Sequence, residues 1–259
     1  MSIPEEIAVQ EDANGVVWIT IDRAHKHNAL GRHVLDGLRV AVTAQGRNPR
    51  TRLLVLRGAG ERYFAAGGDL KELQEVRAEG ATHDMADRSR AALDAVRSCP
   101  IPVLAYLNGD AIGGGAELAL ACDMRLQARH ARVGFIQARL AISSAWGGGP
   151  DLFQLVGASR ALRMMARCEM VDAEQALQWG LADAVIGDGP QGEDMRAFLA
   201  PMRACPPQVL RGIKAQARAW REGEAYEQRR EIERGQVINT WLHDDHWRAA
   251  ERVLNKSSQ

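Results

Sequence analysis

Asn108-Gly109-Asp110-Ala111-Ile112-Gly113-Gly114-Gly115-Ala116-Glu117-Leu118-Ala119-Leu120-Ala121-Cys122-Asp123 is the stretch from which the rest of the chain is read. A glycine triplet runs directly into a short apolar helix, and one carboxylate sits in that helix's first turn. The first N–H groups of a helix have no intrahelical acceptor and point outward, with the positive end of the helix dipole behind them. Glycines at such a start let a ligand approach the backbone closely. A developing oxyanion would be stabilised there, and Glu117 is placed to move a proton at the same centre. Ala116, Leu118, Ala119, Leu120 and Ala121 are all apolar, so the helix is expected to be buried on most sides. A carboxylate in such surroundings costs several kcal/mol unless it is paired or useful. That cost separates Glu117 from the structural alternative, an ordinary glycine turn before a core helix.

Upstream, Pro102 to Leu107 reads as the strand that delivers the chain to this motif, and Val16 to Ile21 as a strand after the Asn14-Gly15 turn. Leu53 to Leu56 is a short, wholly apolar strand of the kind covered on both faces. A helix is expected over Asn28 to Val42, with Leu30, Val34, Leu35 and Leu38 on one face. Arg57 to Asp69 reads as a long glycine-marked loop leading into a helix that carries Lys71, Glu72, Leu73 and Val76. Residues 77 to 88 are polar and weakly patterned, and a mobile segment is expected there. Ala91 to Ser98 reads as a helix that stops before Pro100. Short strands are expected at Arg125 to Gln127 and Arg132 to Phe135. Helices follow at Ser159 to Ala166 and at Ala173 to Trp179, the latter closed by Gly180. Pro206 to Ala249 is charged and mostly helical. The character change near 195 to 205 predicts two regions, a core over 1–200 and a helical region over 201–259. Trp220, Tyr226, Trp241 and Trp247 in that tail predict that something packs on it, either another subunit or the core.

Composition excludes several classes. The 259 residues are 46% hydrophobic, ample for a large core. Acidic and basic residues balance at 33 each, without a polybasic run, which argues against nucleic acid or an anionic membrane as partner. No apolar stretch approaches the ~20 residues of a membrane span. The acidic N-terminus lacks a signal-peptide core, so a cytoplasmic location is expected. Cys99, Cys122, Cys168 and Cys205 are far apart and are read as core residues or free thiols. His243, Asp244, Asp245 and His246 are read as a solvated helix end and His25, His27 and His33 as surface or capping residues, so no metal site is expected.

Taken in order, these pieces resemble the crotonase superfamily, the enoyl-CoA hydratase/isomerase family. The likeness includes Asp22-Arg23 with Asn28-Ala29-Leu30, then Phe64-Ala65-Ala66-Gly67-Gly68-Asp69-Leu70-Lys71-Glu72. It continues through Asn108 to Asp123, Trp146-Gly147-Gly148, Leu155-Val156-Gly157, and Asp172 to Leu177 with Gly180-Leu181 and Asp183. The resemblance implies an α/β fold: a crotonase-like spiral of ββα repeats with a C-terminal helical trimerisation region. It implies a homotrimer or dimer of trimers acting on an acyl-CoA thioester, with coenzyme A as part of the substrate and no separate cofactor. It also implies that backbone N–H groups of Gly68 and Gly114 form an oxyanion hole for the thioester oxygen. Ala66 and Leu70 match positions lining the adenine end of the substrate site.

Two departures bear on the reaction. Family hydratases carry a second glutamate where this chain has Gln137, and an amide cannot act as a general base near neutral pH. Gln137 can still orient water or hold a carboxylate. Trp146 stands where typical hydratases have a small residue, and it would fill space near the acyl end. With Phe135, it is similar to the branch that decarboxylates short malonyl-type thioesters. The expected activity is that of a hydratase-like lyase using one glutamate, Glu117. The alternative is decarboxylation of methylmalonyl- or ethylmalonyl-CoA, and a lesser one is a non-catalytic or RNA-binding family member.

Overall fold

The computed structural model describes residues 3–256. Strands β1 (Ile7–Glu11) and β2 (Val16–Ile21) form an antiparallel hairpin across the Asn14-Gly15 turn. Helix α1 (Arg32–Arg47) follows and buries Val34, Leu35, Leu38, Ala41 and Val42. It begins four residues later than expected, because Ala24–Lys26 is a 3₁₀ turn and His27 and Asn28 are left-handed, with φ of 56° and 53°. Asn28 tolerates that conformation, and its amide ties Arg23 N–H to the carbonyls of Ala59 and Tyr63.

From here the chain repeats one unit. Strand β3 (Leu53–Gly58) joins a six-stranded sheet, and β4 (Tyr63–Ala65), inside the expected loop, joins a second sheet of four strands. Helices α2 (Leu70–Leu73) and α3 (Glu79–Arg97) complete the turn. The next turn is β5 (Val103–Leu107), β6 (Asp110–Ile112) and α4 (Gly114–Ala121); the third is β7 (Met124–Ala128), β8 (Val133–Gly134) and α5 (Gly148–Ala166). In each turn the first strand enters the six-stranded sheet, the second enters the four-stranded sheet, and helix returns the chain. This is the predicted spiral of ββα repeats. Strand β9 (Met170–Val171), helix α6 (Ala173–Trp179) and strand β10 (Ala184–Ile186) close the sheets, giving the orders β1-β2-β3-β5-β7-β10 and β4-β6-β8-β9. Strands β3, β5 and β7 pair in parallel, and β5 is buried along its whole length, as its apolar run requires.

The segment expected to be mobile is the first half of α3. Its buried residues begin only at Ser89, so residues 79–88 form a solvated helical extension without an apolar stripe. Helix α5 starts at Gly148, earlier than the sequence suggests, and is kinked at Gly157, whose φ is 79°. Helix α7 (Glu193–Ala204), which contains Pro201 and packs Met195 and Leu199 inward, falls between the helices expected from the sequence and crosses residue 200. The helical region ends with α8 (Pro207–Arg221), α9 (Tyr226–Trp241) and α10 (Asp244–Lys256). Among the described residues, no helix is long and apolar enough to cross a membrane, and no cluster of His, Cys, Asp and Glu side chains suits a metal ion.

Candidate active site

Helix α4 is buried at all eight positions. Gly113 turns the chain into it with φ of 55°, a conformation open to glycine. Gly114, as first helical residue, has its N–H free of any intrahelical acceptor. The loop of residues 66–69 comes up against this start. Gly67, at φ of 97°, is so near that a Cβ there would lie 3.0 Å from the Ile112 carbonyl and 3.3 Å from Gly114 N. Thus two glycine-rich backbone segments, one after β4 and one after β6, meet at one edge of the four-stranded sheet.

That edge opens into a cavity of about 650 Å³. All seven residues singled out from the sequence line it: Ala66, Gly68, Leu70, Gly114, Glu117, Gln137 and Trp146. Gln137 opens a 3₁₀ turn (Gln137–Leu140) just after β8, and Trp146 lies in the loop before α5. The Trp146 indole packs against these glycines. A Cβ on Gly114 would lie 2.3 Å from Trp146 Cζ3, so the ring needs a bare backbone at Gly114, whereas one on Gly68 would lie in ordinary contact, 3.6 Å from Cη2.

Glu117 is 2% exposed, and both of its carboxylate oxygens accept hydrogen bonds. Its Oε2 accepts from the N–H of Trp146 at 2.9 Å and of Gly148 at 3.0 Å. Its Oε1 accepts from Gln137 Nε2 at 3.0 Å. Burial pushes the Glu117 carboxyl above its ordinary range, although the donors from Gly148, Trp146 and Gln137 oppose that shift. Gln137 Oε1 is buried without a hydrogen-bond partner. A buried carbonyl oxygen in that condition has unused accepting capacity beside the Glu117 carboxylate. Asp69 is the other carboxylate that the described residues place on the cavity wall. It is occupied: Arg23 donates to it at 3.1 Å, and Lys71 N–H donates to it as the cap of α2. Burial raises its pKa, but the Arg23 and Lys71 donors outweigh that and hold it below the ordinary range.

The far end of α4 is finished differently. Arg221, from α8, donates to the carbonyls of Leu120 at 2.6 Å and Ala121 at 2.9 Å, the helix's last turn. Its Nε lies 3.5 Å from Asp151, which also receives Arg97 at 2.8 Å. Lys214, also from α8, pairs with Asp123 at 2.5 Å while Asp123 accepts from Val103 N–H.

Several lining residues are not among the site residues expected from the sequence. His25, Lys26, His27, Lys71 and Arg139 stand on the exposed parts of the cavity wall. The two histidines, read from sequence as surface or capping residues, are exposed but face this cavity; His33 instead binds Glu6 and Glu72. The available signal is the basic run His25-Lys26-His27 beside the Asp22-Arg23 motif, and only the fold brings it to residues 66–71.

A family model described as enoyl-CoA hydratase/isomerase matches residues 11–256. The chain belongs to the enoyl-CoA hydratase/isomerase family, the crotonase superfamily. It is similar to the mitochondrial methylglutaconyl-CoA hydratase of Mus musculus, 31% identical over 71% of this chain and 59% of that protein. So the chain spans about three-fifths of that relative's length. It is 27% identical to ethylmalonyl-CoA decarboxylase of Gallus gallus, over 83% of this chain and 73% of that one. Among solved structures, enoyl-CoA hydratase from Bacillus anthracis superposes with a TM-score of 0.90 at 28% identity, over 97% of both chains.

Proposed function

We propose that this enzyme adds water to an α,β-unsaturated acyl-CoA, with Glu117 as its single acid–base group. The observation that carries this reading is the Glu117–Gln137 pair, a buried carboxylate held at 3.0 Å by an amide whose own oxygen is unpartnered. Gln137 Oε1 accepts a hydrogen bond from the attacking water, and Glu117 takes that water's other proton as the hydroxyl bonds to the β-carbon. The electron pair of the double bond moves onto the thioester oxygen, where the N–H groups of Gly68 and Gly114 hold the enolate. Glu117 then returns the proton to the α-carbon, leaving a 3-hydroxyacyl-CoA and a regenerated carboxylate. One residue serves both transfers because Asp69 is committed to Arg23.

Decarboxylation is the second reading, favoured by Trp146 beside the glycines and by the upward shift of Glu117. There the bond from the α-carbon to the carboxylate breaks, carbon dioxide leaves, and the same N–H groups hold the enolate. Protonated Glu117 then delivers a proton to the α-carbon. Mass spectrometry of the purified protein with enoyl-CoAs of rising length, and separately with methylmalonyl- and ethylmalonyl-CoA, distinguishes the two. Gain of water supports hydration and loss of carbon dioxide supports decarboxylation. Turnover of neither panel overturns both.

We further propose that the tail mediates a trimeric assembly. Trp220, Ile238, Trp241, Leu242, Trp247 and Leu254 are exposed on α8, on α9 and its C-cap, and on α10, and exposed large apolar side chains grouped in one region mark interaction surfaces. Sedimentation of the purified protein as a monomer would sink this.

A further inference from the structure

We propose that the Trp146 indole is a stop for the acyl chain, limiting the substrate to short acyl groups and sealing off a second cavity behind it. This inference rests on the acyl-CoA reading of the main cavity. The second cavity has a volume of about 150 Å³ and lies between the starts of α1 and α2 and the first half of α3. Trp146, Leu73, Met85 and Asp69 line both cavities, so they are the partition between them. Trp146 is the largest member and is 6% exposed. Its ring lies against Gly114 and near Gly68, where no side chain separates it from the backbone that would hold the thioester oxygen. An acyl group entering along that backbone therefore meets the indole within a few carbons of the carbonyl. The space beyond far exceeds the ~10–15 Å³ needed for one water-sized group, so it would admit several methylenes if the partition opened. On its solvent side stand the exposed Arg32, Asp84 and Arg88, and Arg88 is paired to Asp36 at 3.1 Å. That charged rim disfavours apolar chains long enough to reach it, so the gain stops at medium length.

The test uses saturated butyryl-, hexanoyl- and octanoyl-CoA, which bind without reacting, with dissociation constants measured by calorimetry. The wild-type protein should bind butyryl-CoA at least ~10-fold more tightly than octanoyl-CoA, the discrimination a misfitting methylene or two provides. Trp146→Ala, which keeps the backbone N–H that Glu117 accepts, should reduce that ratio at least ~10-fold. Met85→Ala opens the same partition from the opposite side and should shift the ratio in the same direction if Trp146→Ala fails to fold. Equal wild-type affinity for butyryl- and octanoyl-CoA overturns the stop, as does an unchanged ratio in folded variants. Failure to bind all three thioesters, butyryl-CoA included, overturns the acyl-CoA reading itself, and the stop with it. Tight butyryl-CoA binding with an unchanged ratio removes the stop alone.

Discussion

The two ends of helix α4 receive opposite treatment. At the N-terminal end, Gly113 and Gly114 leave the backbone bare and one N–H free of an intrahelical acceptor, facing a cavity. At the C-terminal end, the guanidinium of Arg221 covers the carbonyls of Leu120 and Ala121. A short helix buried along its whole length must have the unpaired groups at each terminus met by protein or by what occupies an adjoining cavity. Where the protein itself supplies the partner, the end is structural. Where it withholds one, the end is available to a ligand. The contrast shows which unsatisfied groups in a buried helix are assets.

The largest effect should come from the carboxylate at the open end. Glu117→Gln is expected to lower kcat by about 10²–10⁴-fold while acyl-CoA still binds. Near-wild-type turnover would remove Glu117 from the chemistry. Next, Gly114→Pro deletes the N–H at the helix start and should cost about 10²–10³-fold, the usual effect of losing one oxyanion donor. Gly114→Ala is the necessary companion, since it keeps the N–H but drives a Cβ into Trp146. If both variants lose activity equally, the loss belongs to displacement of the ring rather than to the N–H.

At the closed end the expected effect is on stability. Arg221→Ala leaves the carbonyls of Leu120 and Ala121 without that donor and should cost about 1–3 kcal/mol in denaturant unfolding. A loss of activity with full stability would mean that the two ends are not divided in this way. The smallest effect is in the pH dependence. Because the Glu117 pKa is raised, the acid limb of kcat/KM for a hydratase should lie above pH 4.5, the ordinary value. Activity then rises as Glu117 ionises; for a decarboxylase using Glu117 as acid, it falls over the same range. The sign for stability is opposite to that of a salt-bridged carboxylate. The folded state binds this proton more tightly, so the stabilisation is present below pH 4.5 and is lost as pH rises through the raised value. At neutral pH, Glu117→Gln should therefore melt at the wild-type temperature or higher, and a lower melting temperature would contradict this account.

Much of the fold was legible because its strands are short, apolar and bounded by turn residues. Val16 to Ile21 and the run into Gly113 both lie where patterning put them. The first half of α3 was not legible, since a solvated helix leaves no apolar period to detect. Glu117 and Gly114 could be read locally, as a carboxylate in an apolar helix and a glycine at its start. Gly68 could not, because nothing in its own loop announces what that loop faces. It came from the family resemblance, and the structure shows the loop against Gly114 N. The link between Glu117 and Gln137 spans 20 residues, and the one between Arg97 and Asp151 spans 54. Neither separation has a local signature.

Arg221 lies 101 residues beyond Leu120, the carbonyl it covers. During vectorial synthesis at ~5–20 residues per second, α4 is made roughly 5–20 s before its closing guanidinium. For that interval the nascent helix has both termini open and no means of telling the useful one from the exposed one. The two become distinct when α8 arrives, so a chain cut short before residue 221 would lack part of what holds α4, the helix of the candidate site, as well as its last helices.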